Sequence, residues 1–314
     1  MKAIQVLAPG LLTTVQDLGR EGFGPMGVSA SGAADEVSLR IGNRLVGNEE
    51  GAAGLEMTLL GGAFLFPEGA DVALTGSDFG ATLDDVPIEL WSSFEARAGQ
   101  TLRIGPTRAG ARCYLCVQGG IVVKDFLGSA STHLLSGLGG HEGRALRKGD
   151  VLKIGETTGP FRKRIIAGRA LERLAPGKVL RVTTGPQSDW FPKAAQKSFY
   201  GSTYRVAEES NRMGVRLEGA AIPVALGGEM ISEGVALGAV QITAGGLPIL
   251  LFIEQQTTGG YPKIANVISA DLHSVGQLRP RDEIRFERVK MEAARALLME
   301  QEKLLASEGL IQNG

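Results

Sequence analysis

The feature that most constrains this chain is a turn-then-strand unit that returns three times. Ala98-Gly99-Gln100-Thr101-Leu102-Arg103-Ile104-Gly105 is echoed by Lys148-Gly149-Asp150-Val151-Leu152-Lys153-Ile154-Gly155, and again by Pro280-Arg281-Asp282-Glu283-Ile284-Arg285-Phe286. Each copy sets a turn before alternating apolar and charged residues, the pattern of a strand with one face in a core and one in water. The copies are too degenerate and irregularly spaced for a solenoid. Gly supplies 45 of the 314 residues and aromatics only 5%, so short apolar runs are joined by many tight turns. A chain of this length predicts about two domains. The expected class is mainly β, built as small barrels or sandwiches with few helices.

Two helical stripes stand out. Ala34, Val37, Ile41 and Leu45 share a face, with Ser31 or Asp35 placed to cap the start and Gly47-Asn48 to stop it. A second stripe, Val289, Ala293, Leu297 and Leu304, predicts a helix from about Val289 to Leu305. Between Thr157 and Lys178 the chain turns basic (Arg162, Lys163, Arg164, Arg169, Arg173), bracketed by Pro160 and Pro176-Gly177. It reads as a solvated connection with a short helix rather than a phosphate or nucleic-acid patch. The expected organisation is a first β-barrel-like domain over 1–157, a basic linker over 158–177, a second barrel over 178–290, and a helix and tail over 291–314.

Charge and composition exclude several classes. A net charge of −1 gives no electrostatic footprint for nucleic acid or an acidic membrane. No apolar run reaches the length of about 18 residues that a bilayer span needs. The start, Met1-Lys2-Ala3-Ile4-Gln5-Val6, shows strand alternation rather than a secretory signal, so a cytoplasmic protein is expected. Two Cys in a chain this long do not carry its stability as a disulfide framework.

Several motifs fail on spacing. Gln255-Gln256-Thr257-Thr258-Gly259-Gly260-Tyr261 is not a phosphate-binding P-loop, because no Lys-Ser/Thr pair and no helix pattern follow. Gly137-Leu138-Gly139-Gly140-His141-Glu142-Gly143 misses the dinucleotide spacing by one residue and leads into a turn. Cys113 and Cys116 lie three apart on a strand pattern and so point to opposite faces, which rules out one shared metal or redox couple. Ser269, Asp271 and His273 alternate as on one strand face, without a nucleophile elbow anywhere in the chain. Lys290-Met291-Glu292 opens a helical pattern rather than a biotin-carrier hairpin, so no biotin is expected on this chain.

Four stretches carry more. Thr13-Thr14-Val15-Gln16-Asp17-Leu18-Gly19-Arg20, Ser31-Gly32-Ala33-Ala34-Asp35, Ser210-Asn211-Arg212-Met213-Gly214-Val215-Arg216-Leu217-Glu218-Gly219 and Gln256-Thr257-Thr258-Gly259-Gly260-Tyr261-Pro262 occur in that order. With Asn43 to Asn48 and Leu55 to Leu59 they resemble the family once called allophanate hydrolase subunit 2. It is also called the biotin-dependent carboxyltransferase family and includes the C-type subunit of the prokaryotic 5-oxoprolinase. The likeness runs from about Val6 to Phe286. It departs at Glu254, where the family tends to have Asp, and at Arg281, where its last turn tends to have Gly.

The resemblance implies tandem cyclophilin-like β-barrels. It further implies a direct partner, the B-type subunit, and an A-type subunit that completes an ATP-dependent 5-oxoprolinase converting 5-oxo-L-proline to L-glutamate. This chain would bind no cofactor by itself, the ATP being used by the complex. Two alternatives come with the family. One is a carboxyltransferase component acting on urea or a related amide with biotin on a separate carrier, and the other is a binding protein that antagonises a histidine-kinase inhibitor. Fold membership does not choose among them.

A lactam or urea offers a C=O beside an N–H, and carboxamide side chains match both. Gln16, Asn211, Gln241 and Gln256, with Thr257 beside the last, are the expected substrate contacts. Arg20 and Arg212 suit a carboxylate or a developing oxyanion, and Glu229, Ser232 and Glu233 offer a base or an orienting group. Thr257 to Gly260 is then a tight turn at a barrel mouth. Each residue also has a structural reading: Gln16, Asp17, Asn211 and Arg212 as turn formers, and Glu56 as the buried partner of an Arg.

Overall fold

The computed structural model describes residues 2–157, 159–224 and 230–314. The chain divides into two compact units. One comprises Met1–Arg20, Ser31–Leu174 and Leu304–Gly314, the other Glu21–Ala30 and Ala175–Lys303.

In the first unit two seven-stranded sheets share one core. One sheet runs in the order Ile121–Val122, Val151–Ile154, Ala3–Ala8, Ala63–Phe66, Gln100–Arg103, Thr82–Leu83, Val86–Pro87. The other runs Leu12–Gln16, Gly54–Thr58, Arg112–Val117, Ala70–Gly76, Ser92–Ala96, Arg164–Ile166, Ile311–Asn313. Period-two alternation sorts the side chains. Cys113, Leu115 and Val117 enter the core with Val6, Phe64, Phe66 and Leu102. Tyr114 and Cys116, on the reverse face, meet Val37, Ile41 and Leu45 of a helix. Burial of each large apolar side chain in such a core contributes about 1.5–3 kcal/mol. The two cysteines are free and buried on opposite faces, as the strand spacing requires, and burial pushes the Cys113 thiol up to about 12.

That helix, Glu36–Val46, starts where Asp35 Oδ1 accepts the Ser38 N–H at 2.9 Å and ends at Gly47, whose φ of 82° is left-handed. The basic stretch expected as a linker begins inside the first unit. Arg164–Ile166 is a strand of its second sheet, and Arg164 Nη1 donates to the Leu45 carbonyl at 3.3 Å, at the helix C-terminus. A short helix, Gly168–Arg173, follows, and the division between units falls after Leu174.

The second unit is a closed seven-stranded barrel in the order Val179–Thr184, Lys263–Val267, Ala239–Ile242, Pro248–Leu251, Gly214–Glu218, Tyr204–Val206, Glu283–Arg288. Phe286 stacks on Phe199 at 4.7 Å, and Tyr204 lies 5.8 Å from Phe286. The turn before the last strand keeps the left-handed geometry that a glycine would favour. Arg281 holds φ 72°, donates its N–H to the Val206 carbonyl at 2.8 Å and pairs with Glu208.

Ser269, Asp271 and His273 differ from the sequence expectation of a strand face. Ser269–Asp271 is a 3-10 turn running into the helix Leu272–Gly276, because the Asp271 carboxylate is drawn back onto the Arg181 guanidinium and the Arg181 N–H. The helix Met291–Leu305 forms close to its expected limits, with Ala294 packed on Ile268 and Ala270. Among the described residues no helix is long and apolar enough to cross a membrane.

Candidate functional site on the outer wall of the second barrel

Strand register builds this site. Arg216 pairs with Ile249, Ile249 with Gln241, and Gln241 with Lys263, so four side chains form one row across four strands. The row spans about 14 Å, three inter-strand steps of roughly 4.8 Å. The next row, Val215, Leu250, Val240 and Ala265, is buried. Alternation therefore puts the Arg216 row on the outer wall. A β-bulge makes the last member possible. Val240 pairs with Ala265 but Gln241 pairs with Lys263, so Ile264 is the extra residue that swings Lys263 onto the face of Gln241.

A ribbon of two short strands, Glu233–Gly234 and Thr258–Gly259, lies beside the row. The Lys263 side chain is 4% exposed, and its Nζ stands 2.6 Å from Glu233 Oε1. Gln187 Nε2 donates to the same carboxylate oxygen at 2.8 Å. Lys263 first, then Gln187, hold the Glu233 carboxyl below the usual carboxylate range. Glu233 is thus an ionised group paired with Lys263.

The Gly-Gly pair now has a physical reason. A Cβ on Gly259 would stand 2.5 Å from Gln241 Nε2 and 3.1 Å from Gln256 Nε2. Only glycine lets the two carboxamides converge on that backbone. The expectation of a tight turn at a barrel mouth is corrected accordingly: Thr258–Gly259 is a ribbon strand laid by the outer wall.

Asn211, Arg216, Gln241, Gln256 and Tyr261 line one depression of about 250 Å³. A larger one, about 400 Å³, shares Thr243 and Tyr261 with it, but among its described lining residues there is no charged or carboxamide side chain. The smaller is the better candidate, because fixing the orientation of a polar ligand needs convergent donors and acceptors. Asn211 is also committed locally, its Oδ1 accepting the Met213 N–H at 2.8 Å. Gln256 is exposed, Thr257 accepts the Val235 N–H on its carbonyl, and Ser232 lies beside Gly260. Glu229 lies outside the described residues.

The other expected contacts are engaged elsewhere. Arg212 is turned inward, its Nε 2.5 Å from Glu254 Oε1, with both side chains at most 5% exposed. The Glu254 N–H also donates to the Arg212 carbonyl. In the first unit, Gln16 Nε2 donates to the Thr132 carbonyl at 3.1 Å, and Arg20 donates to the carbonyls of Phe126 and Ser131. Asp17 gathers the same loop, accepting from Ala130 N, Ser129 Oγ and Ser131 Oγ. Glu56 meets Arg112 at 3.4 Å and accepts the Tyr114 hydroxyl at 2.7 Å, a buried structural pairing. Among the described residues no cluster of His, Cys, Asp and Glu is arranged to hold a metal.

The description "Carboxyltransferase domain, subdomain A and B" matches residues 26–288. The chain belongs to this carboxyltransferase family. As a family member it is 38% identical over 300 residues to the C-type subunit of the Escherichia coli 5-oxoprolinase, covering 96% of each chain. It is 35% identical over 323 residues to the urea amidolyase of Saccharomyces cerevisiae, covering 97% of this chain but 18% of that one. The crystal structure of the K. lactis urea amidolyase superposes with a TM-score of 0.90 at 33% identity, over 99% of this chain and 21% of that protein.

Sequence reasoning missed Lys263, Arg216 and Gln187. Lys263 follows Tyr261-Pro262 directly, yet its position beside Gln241 depends on a bulge that no local pattern announces. Arg216 reads as an ordinary exposed strand residue until register sets it in line with Gln241.

Proposed function

We propose that this chain is the C-type subunit of an ATP-dependent 5-oxoprolinase, working in the cytoplasm with a B-type subunit as direct partner and an A-type subunit. The observation that carries this reading is the match to the Escherichia coli C-type protein, 38% identical along 96% of both chains. The wall supports it chemically. Gln241 and Gln256 offer the donor and acceptor pair that a lactam C=O and N–H require. The Lys263 ammonium, paired with Glu233, supplies positive potential beside the wall, where a carbonyl oxygen gains charge. Glu233 and Gln187 act as positioning residues for Lys263.

The pocket does not fit a triphosphate. Among the described lining residues Arg216 is the one cation, and nearby Lys263 is already matched by Glu233. Substrate recognition falls to this chain, and the partner subunits handle the nucleotide. Mixing the chain with A-type and B-type subunits, 5-oxo-L-proline and ATP tests the reading. Glutamate release that needs all three subunits is expected, and its absence from a well-assembled complex would overturn the proposal.

A second reading is favoured by the TM-score of 0.90 to a urea amidolyase. In it the same wall would hold urea or a related amide, and carboxybiotin on a separate carrier would supply the carboxyl group transferred to the amide nitrogen. That reading expects avidin-sensitive carboxylation of urea and no glutamate.

A further inference from the structure

The row on the outer wall has a cation at each end, and the two are treated differently. Lys263 is buried and matched by Glu233. Arg216 is exposed and lines the depression, and no ion pair or side-chain hydrogen bond of its guanidinium to another described residue is found. The nearest acid on its own strand face, Glu218, is taken by Arg205 at 2.7 Å. Backbone bonds to Ser210 and Ala207 fix the Arg216 main chain and leave its side chain to the pocket. Between the cations lie the half-buried Ile249, an apolar floor, and Gln241, which is 1% exposed and donates only a long 3.5 Å bond to the Tyr261 carbonyl.

Resting on the function proposed above, we propose that Arg216 anchors the carboxylate of the substrate and makes this wall selective for a small cyclic amide that carries one. The order along the row matches such a molecule: guanidinium for the carboxylate, Ile249 for ring methylenes, Gln241 for the amide. A planar guanidinium meets a carboxylate through two parallel N–H···O bonds, so it discriminates by shape as well as charge. A neutral amide such as urea leaves Arg216 unmatched, and its selection by this wall is not expected.

Calorimetric titration of the full chain with 5-oxo-L-proline, with 2-pyrrolidinone (the same lactam without the carboxylate) and with inorganic phosphate tests this. Wild-type protein is expected to bind 5-oxoproline at least about tenfold more tightly than either other probe, the scale of a charge-assisted pair. Arg216→Gln is expected to erase that preference by weakening 5-oxoproline while 2-pyrrolidinone stays within about twofold, and Arg216→Lys to retain part of it. The side chain is exposed, so an unchanged thermal midpoint establishes that the variants fold. Equal binding of both lactams by wild type, a preference kept in Arg216→Gln, or phosphate binding as tight as 5-oxoproline would each overturn the inference while leaving lactam recognition standing. Binding of neither lactam would overturn both the inference and the function on which it rests.

Discussion

Gln241 and Lys263 face each other across two barrel strands only because Ile264 bulges out of register between them. That single irregularity brings a carboxamide and a buried ammonium to the same wall, and Glu233 then sits 2.6 Å from the ammonium. Lys263→Met removes the charge while keeping much of the side-chain length. In the reconstituted complex, kcat/KM for 5-oxoproline is expected to fall by about a hundredfold, the size of effect seen when one oxyanion-stabilising donor is removed. The thermal midpoint of the variant checks that the loss is not unfolding.

The Glu233 carboxyl reports the same contact. Its folded-state value is depressed, chiefly by Lys263, so this contact stabilises the fold above the ordinary carboxyl range and is lost as pH falls through the depressed value. Carbon-detected NMR titration is expected to place the wild-type midpoint below that of an unperturbed glutamate. In Lys263→Met it should move back towards the ordinary value, and an unmoved midpoint would show that Lys263 is not the cause.

Gly259→Ala separates activity from stability. The new Cβ would meet the side chains of Gln241, Gln256 and Val235 rather than backbone, so the fold loses about 1–3 kcal/mol. Moving the buried Gln241 carboxamide should lower kcat/KM by about tenfold or more, since recognition depends on its placement. Chemical denaturation and steady-state kinetics on one preparation measure both.

Arg212 and Glu254 predict the opposite pattern. Their ion pair is buried, so Arg212→Met leaves an unmatched carboxylate and should destabilise the second unit by about 3–5 kcal/mol. The double variant Arg212→Met with Glu254→Leu should recover much of that loss. Urea denaturation of the two variants checks both statements.

Asp150 carries an acid dependence in the first unit. Arg144, followed by the Arg147 N–H, lowers its carboxyl to about 2 from 3.8, against some burial. A depressed value means stability that is present above the ordinary carboxyl value and lost as pH falls from about 4 towards about 2. Allowing for solvent screening, its size is about 1–2 kcal/mol. Asp150→Asn should lack that part of the acid transition in denaturation curves recorded between neutral pH and pH 3.

Local patterns made much of the fold legible. The three turn-then-strand copies are the strands Gln100–Arg103, Val151–Ile154 and Glu283–Arg288, and the Asp35 and Gly47 caps lie at the ends of their helix. Sheet order was not legible, because it depends on pairings such as Arg164–Ile166 with Ile311–Asn313 across much of the chain. The same limit governs the candidate site. Asn211, Gln241 and Gln256, singled out for their carboxamides, share one depression, whereas Arg216 joins them only through register and Lys263 comes beside Gln241 only through a bulge. Arg212 was singled out by type and Arg216 was not, yet Arg212 pairs inward with Glu254 while Arg216 lines the depression.

The central claim is that the outer wall of the second barrel holds the substrate of a 5-oxoprolinase. A crystal structure of the assembled complex with 5-oxo-L-proline bound measures this most directly. The lactam is expected with its amide on Gln241 and its carboxylate on Arg216. Ordered ligand that touches none of Arg216, Gln241 and Lys263 would contradict it.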